Sequence, residues 1–454
     1  MTSTPLEPVR KPAFVHKRPL MRRLGWDRIY GTTSYLKSAL WTVPLIAIAI
    51  VFAVAPLLRA LDAWLGWELT HLAPAGATGL YQTVITLTLS FLVFTFGSLL
   101  VAIQIAGGQL TPRIIATLLL RDNVVRYSVG LFVFTLVFAV MALNRVEDKV
   151  PQLVSLLIAG LGVACIADFL FLIDYAARLL RPVSVVAKVG DEGVEIIRSL
   201  YPARSEVVAE AGPLHAQLGA PVRSVLHNAK AGIVLAVDLA TLVGLARHHG
   251  GVIEVVPQVG DFVANDEPLF ALYDGATAIA DTDLRPTIAM GAERTLEQDP
   301  MFAFRILVDI GLKALSPAIN DPTTAVLALD QVHRLLRFLG KHQLRGEVIA
   351  DETGEPRVIF RTPNWEDFVH ISCTEIRACG ADSMQIARRL RAMLEDVGRA
   401  LPEYRRPSIE VELMLLDRAI DVVYVNAEDR ALARIPDVQG LGGSPGTYRD
   451  ASPL

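Results

Sequence analysis

The sequence predicts an α-helical polytopic membrane domain of four transmembrane helices, followed by a cytosolic α+β region. That region combines a small β-barrel or sandwich with a helical domain. Two observations lead to this architecture. Of the 454 residues 52% are hydrophobic, and the long apolar runs fall before Arg181, each near the ~20 residues that a bilayer crossing needs. Past Arg181 the composition becomes that of an ordinary soluble protein, with glycine-punctuated alternating stretches and amphipathic helical stretches. The formal net charge of -4 gives no electrostatic footprint for nucleic acid. Three cysteines, one in a membrane run and two in the soluble part, form no disulfide framework and fit a reducing compartment.

Residues 1–36 form a basic arm with Arg10, Lys11, Lys17, Arg18, Arg22, Arg23 and Arg28, expected to lie in the cytoplasm against anionic lipid heads. Residues 37–181 carry the four spans, at about Leu40 to Leu58, from Leu80, at about Val124 to Leu143, and at about Val150 to Ile173. Asp122 and Asn123 are capping candidates for the third. The loop Asp62–Thr78 has no Lys or Arg, whereas the next loop has Arg113 and Arg121, and Arg178, Arg181 and Lys188 follow the last span. The positive-inside rule puts both termini in the cytoplasm, with Arg145 and Lys149 weighing weakly against.

The soluble part divides into a linker helix and small β-barrel (182–275), a helical domain with a β-hairpin (276–435) and a disordered tail (436–454). Val222–Leu272 reads as short strands around one helix, LATLVGLARHH, with a turn at Gln258–Asp261. Met301–Gly340 is a helical hairpin broken at Ser316-Pro317, and Glu347–Arg361 a β-hairpin turning at Thr353-Gly354. Asn364 is the expected cap of a helix starting at Trp365.

The second span carries the most distinctive pattern. It starts as LYQTVITLTLSFLVFTFGSLLVAIQ, breaks at Gly107-Gly108 and restarts as LTPRII, with Thr111 and Pro112 as start signals. At ~100° per residue, Thr83, Thr86, Ser90, Gly97 and Gln104 fall within a wedge of roughly 60°, with Phe94 and Val101 filling the gaps. Such a line has two readings. It lines a permeation path, with Phe94 and Val101 as apolar constrictions, or it packs helix on helix through small side chains. Both hold if it lies on an oligomer axis, which makes a homo-oligomer the natural expectation beside the lipid bilayer itself. On the fourth span Asp168 is an intramembrane acid, read either as an ion-coordinating or proton-relaying group or as a hydrogen-bonded structural acid.

In the soluble part Arg305, Asp309 and Lys313 stand four apart and read as ordinary ion pairing. Asn320, Asp321 and Thr324 open a helix, a place for capping first and for a small anion or other ligand second. No catalytic residue, metal site or cofactor is expected. The phosphate-loop, H-E-x-x-H and Cys-x-x-Cys patterns are missing from the sequence, and His248-His249 with Glu254 reads as a solvated turn.

The strings TFGSLLVAIQIAGGQLTPRII, DPMFAFRILVDIGLKALSPAINDPTTA and EIRACGADSMQIARRL resemble, in that order, a bacterial family of predicted membrane proteins catalogued as domain of unknown function 2254. ALSPAINDP is the most specific part. The resemblance implies a membrane-embedded first half and a cytosolic second half in a bacterial inner membrane, and supplies no activity. Locally, VPQVGDFVANDEPLFAL is similar to barrel-sandwich modules of the biotinyl/lipoyl type, without their carrier lysine. Together these lead to an oligomeric channel- or transporter-like protein with a cytosolic gating or assembly part. The alternative is a membrane-anchored module that binds a ligand or partner in the cytosol.

Overall fold

The computed structural model describes residues 25–65, 73–109, 122–146, 150–179, 181–201, 218–344 and 347–443. Most of the basic arm and the Thr111-Pro112 restart lie outside them. The chain clusters into two compact units, one of residues 1–33, 192–304 and 336–370, the other of residues 34–191, 305–335 and 371–454.

After α1 (Trp26–Ser38), four helices among the described residues are long and apolar enough to cross a membrane: α2 (Thr42–Leu65), α3 (Pro74–Gln109), α4 (Asn123–Leu143) and α5 (Gln152–Leu179). Trp41 and Trp64, both exposed, bracket α2. They are 23 positions apart, and at 1.5 Å per helical residue this is about 34 Å, the span of a hydrocarbon core with a ring at each interface. α4 packs against α2, α3 and α5. Two glycines set the closeness of this packing, because a Cβ on Gly130 would lie 2.7 Å from Val43 Cγ1 and one on Gly162 2.9 Å from Val84 Cγ2. Without hydrophobic drive inside lipid, such close backbone approach is what gives spans their van der Waals contact.

The β region is open where a small β-barrel or sandwich was expected. It has two open sheets, one ordered β1 (Arg223–Leu226), β5 (Pro268–Asp274), β3 (Gly251–Val255), β8 (Pro356–Phe360), β7 (Val348–Ala350), the other β4 (Phe262–Val263), β2 (Gly232–Val237), β6 (Ile288–Gly291). The pairs are antiparallel except β3 with β8. The reason lies in β3, whose Gly251, Val252, Ile253 and Val255 are all buried. A strand buried on both faces is a central strand and takes a neighbour on each edge. β5 supplies one edge, and the 347–361 hairpin, assigned from sequence to the helical domain, supplies the other. Helix α7 (Leu239–His249), capped by Asp238 and ended by left-handed Gly250, lays Leu242 and Ala246 on a core of Ile253, Phe270, Leu272 and Val358. The predicted turn is present, with Gly260 at φ +94° where a side chain would meet the Arg294 guanidinium.

The helices that follow among the described residues are α8 (Pro300–Leu315), α9 (Pro322–Leu339), α10 (Trp365–Gly380), α11 (Met384–Ala400), α12 (Arg406–Val423) and α13 (Ala427–Ala433). Asn364 and Asp367 cap α10 reciprocally, each side chain accepting the other's backbone N–H at 2.8 and 2.9 Å. Asp299 takes the N–H of Phe302 at 3.0 Å at the start of α8. Burial lifts its carboxyl to about 6, against the opposing pull of Arg294.

Residues 436–443, expected to be disordered, instead form a strap on α11. Asp437 accepts the N–H groups of Gln439, Gly440 and Gly442, and Arg388 donates to the carbonyls of Ile435 and Gly443. The turn signals in GLGG serve this loop rather than a free linker, with Gly440 and Gly442 at φ +68° and +74°. Residues 444–454 of that tail lie outside the described part.

Candidate functional site

Helix α3 has two distinct faces. Tyr81, Val84, Thr88, Leu92, Thr95 and Ala102 are buried against the other spans, whereas Thr83, Thr86, Ser90, Phe94, Gly97, Val101 and Gln104 are all exposed. The line read from sequence is therefore a single face, and it points away from the chain's own bundle. Its hydroxyls are already bonded: Thr83 donates to Gly79 O at 2.8 Å, Thr86 to Gln82 O at 2.9 Å and Ser90 to Thr86 O at 2.8 Å. A hydroxyl satisfied by the carbonyl four residues back does not require water. What separates this face from a lipid-facing one is thus size and spacing. Thr83, Ser90, Gly97 and Gln104 recur every seventh residue, and nothing lies within 4 Å of the Cβ position of Gly97. Phe94 also leans on the bundle, its ring 5.5 Å from Phe169 of α5 in a T-shaped pair.

Inside the bundle lies a second polar group. Asp168 accepts Ser128 Oγ of α4 through Oδ1 at 3.1 Å, while its Oδ2 is enclosed with no hydrogen-bond partner. Thr95 Oγ1 of α3 is likewise enclosed and unbonded. Phe91, one turn before Thr95, stacks on Phe169, the residue after Asp168, at 4.2 Å. One turn back along α5, Cys165 Sγ contacts Thr135 Oγ1 at 3.4 Å. The surroundings are apolar, with Leu92, Val125, Val129, Phe132 and Leu172.

A third polar cluster closes one end of the bundle. Asp122 caps α4 by accepting the N–H groups of Val124 and Val125 at 3.0 and 3.4 Å. Its other oxygen accepts Tyr175 OH at 2.8 Å and faces Lys188 Nζ of α6 (Pro182–Leu200) at 3.3 Å. One carboxylate so joins α4, α5 and α6. Further along α6, Asp191 pairs with Arg334 of α9 at 2.7 Å, giving α6 one polar tie to the spans and another to the helices of the same unit.

Sequence reasoning found Asp168 and the capping role of Asp122, but not Ser128, Thr95 or the Tyr175 and Lys188 partners. Ser128 and Thr135, seven apart on an otherwise apolar run, were the available sign that α4 turns a polar line to a neighbour.

At the start of α9, both oxygens of Asp321 are engaged by Thr324, one by its N–H at 3.1 Å and one by its hydroxyl. Asn320 stands beside it at φ +49°, exposed. The trio is brought together as a helix cap that also closes the turn, with the Asp321 N–H donating to Ala314 O at 2.8 Å. Arg305 bridges Asp309 on its own helix and Glu375 on α10. Among the described residues no three His, Cys, Asp or Glu side chains are grouped to hold a metal ion.

The family described as "Predicted membrane protein (DUF2254)" matches residues 37–396, from the first span through α11. The chain belongs to that family. Uncharacterized proteins of Mycobacterium bovis and Mycobacterium tuberculosis are similar to this DUF2254 protein. Each is 24% identical over 443 residues, covering 90% of this chain and 83% of the relative. No solved structure matches it. All three clusters, at the α3 face, around Asp168 and around Asp122, fall within the matched span.

Proposed function

We propose that this DUF2254 protein is an oligomeric, channel- or transporter-like component of a bacterial inner membrane. Both termini lie in the cytoplasm, and the cytosolic part assembles or gates the membrane part. One observation carries the reading: the small-residue line on α3 recurs at intervals of seven and faces out of the chain's own bundle. A repeat of 3.5 residues per turn is the spacing of a helix seam that meets another helix, and small residues let backbones approach inside lipid. The partner that offers the same line is a second copy, and a symmetric ring of such lines places Ser90, Gly97 and Gln104 around a shared axis. The basic residues flanking the spans support the cytoplasmic assignment of the termini.

A second reading, a membrane anchor for a cytosolic ligand- or partner-binding module, draws support from the intrahelical hydroxyl bonds, since a bonded hydroxyl tolerates acyl chains. The cap at Asn320, Asp321 and Thr324 is where that reading puts a small ligand or anion.

The two separate on one experiment. Ser90→Leu with Gly97→Leu is expected to abolish ion flux through the protein in liposomes, at least tenfold below wild type, while leaving the protein inserted and monodisperse. Liposomes with the wild-type protein that show no flux above protein-free ones, and a double variant that is only destabilised, would support the anchor.

A further inference from the structure

We propose that Asp168 and Ser128 form a reversible proton-binding site in the interior of the four-helix bundle, apart from the outward line on α3. Asp168 lies seven residues before Tyr175 on α5, about 10 Å deeper along the helix. Tyr175, bonded to the Asp122 and Lys188 cluster, marks the polar end of the bundle, so Asp168 lies within the apolar layer. There an ionised carboxylate without a partner is expensive. Its Oδ1 has a donor, Ser128, and its Oδ2 is enclosed and unbonded. An added proton on Oδ2 neutralises the charge and needs no further ligand. A metal cation needs a shell of six or so oxygens, and the only bonded oxygen that the described residues set beside Asp168 is Ser128 Oγ.

The groups around Asp168 leave the proton as its means of neutralisation. The charged or titratable side chains of α2 are Arg59 and Asp62, and Asp62 is engaged by the Leu153 N–H at 2.7 Å. Tyr81 of α3 is bonded to Ser155 at 2.7 Å near the starts of the two helices. On α4 there are Arg126, which donates to Thr42 Oγ1 at 2.6 Å, and Tyr127, which is exposed. On α5 itself Cys165 is bonded to Thr135 and Asp174 pairs with Arg178. None of these contacts brings a cation to Asp168. The step is a simple exchange: water-borne H+ forms the O–H bond at Oδ2, the acid becomes neutral, and release returns the proton to water with no other bond changed. The inference concerns the bundle interior and does not depend on the oligomeric reading.

The test is infrared difference spectroscopy of the full chain in lipid vesicles exchanged between acidic and alkaline buffer. A protonated-carboxyl stretch should appear in acid and vanish in base, be missing in Asp168→Asn, and shift in Ser128→Ala as its hydrogen bond is lost. If no pH-dependent carboxyl band depends on Asp168, the group is locked in one state and the proposal is overturned. Should Asp168→Asn fail to fold, Ser128→Ala and Asp168→Glu decide. A band that neither variant moves belongs to another acid and equally overturns it. Because the readout is spectroscopic, absence of flux through the wild-type protein with the band intact would count against the channel reading and leave this site standing.

Discussion

Gly251→Ala is expected to unfold the β region. The glycine opens β3 just after α7, and a Cβ there would lie 2.0 Å from Ala276 N, 2.6 Å from Tyr273 O and 2.8 Å from Ala276 Cβ. Two of these are backbone atoms of the opposing strand and turn, so no side-chain rotation relieves the collision. Gly275 faces it from the other side, its own Cβ position 1.9 Å from His249 O. The two glycines interlock the end of α7 with the end of β5. Overpacking against movable side chains costs about 1–3 kcal/mol. Against backbone we expect more than about 4 kcal/mol, in the range reserved for broken cores. The check is the cooperative thermal transition of the purified protein, expected to be lost or shifted far down. Gly244→Ala on α7, with nothing within 4 Å, is the control and should be neutral or stabilising by up to ~1 kcal/mol. A normal transition for Gly251→Ala would show that β3 and the turn at Gly275 are not held as described.

Arg388→Ala is expected to cost about 3 kcal/mol and to free the C-terminal strap. Arg388 is among the largest fully buried side chains, 2% exposed. Its guanidinium donates to Ile435 O at 3.1 Å and to Gly443 O at 2.9 Å, while its own carbonyl accepts the Asp437 N–H at 3.1 Å. Removing the side chain strands two carbonyls, at about 1–3 kcal/mol for each that stays buried, and leaves a cavity between α11 and the strap. Arg388→Lys should rescue little, since one ammonium on a flexible stem does not reproduce the planar fork. Chemical denaturation gives the stability loss, and limited proteolysis should cut after Ile435 faster in the variant than in the wild type. Equal cleavage rates would mean that the strap is held by Asp437 and by Gln385, whose side-chain amide donates to Gly440 O at 2.6 Å.

The parts of this fold that the sequence predicted are those whose causes are local. Four apolar runs, the cap at Asp122, the α7 segment from Leu239 to His249 and the cap at Asn364 all follow from spacing and side-chain chemistry within a few residues. The sheet order does not. β3 and β8 are about a hundred residues apart in the chain, and their parallel pairing is a long-range choice that a local turn pattern does not encode. The Gly260–Asp261 turn therefore suggested a small barrel or sandwich where the described strands form two open sheets. The strap was missed because Gly440 and Gly442 suit a linker and a tight loop equally well, and only the buried arginine on α11 distinguishes them. On α3 the polar wedge was visible from the helical period, yet the direction it faces depends on which opposite residues pack. Tyr81 and Gly162, against Ser155 and Val84 respectively, fix that direction.

The central claim, that this face of α3 meets a second copy of the chain, is tested most directly by cysteine cross-linking in native membranes. In a background with Cys165, Cys373 and Cys379 replaced, single cysteines at Ser90 and Gly97 should give covalent dimers on oxidation. Cysteines at Phe52 of α2 and Leu170 of α5, which are 62% and 63% exposed and lie on other helices, should not. Dimers at Phe52 and Leu170 with none at Ser90 and Gly97 would contradict the account.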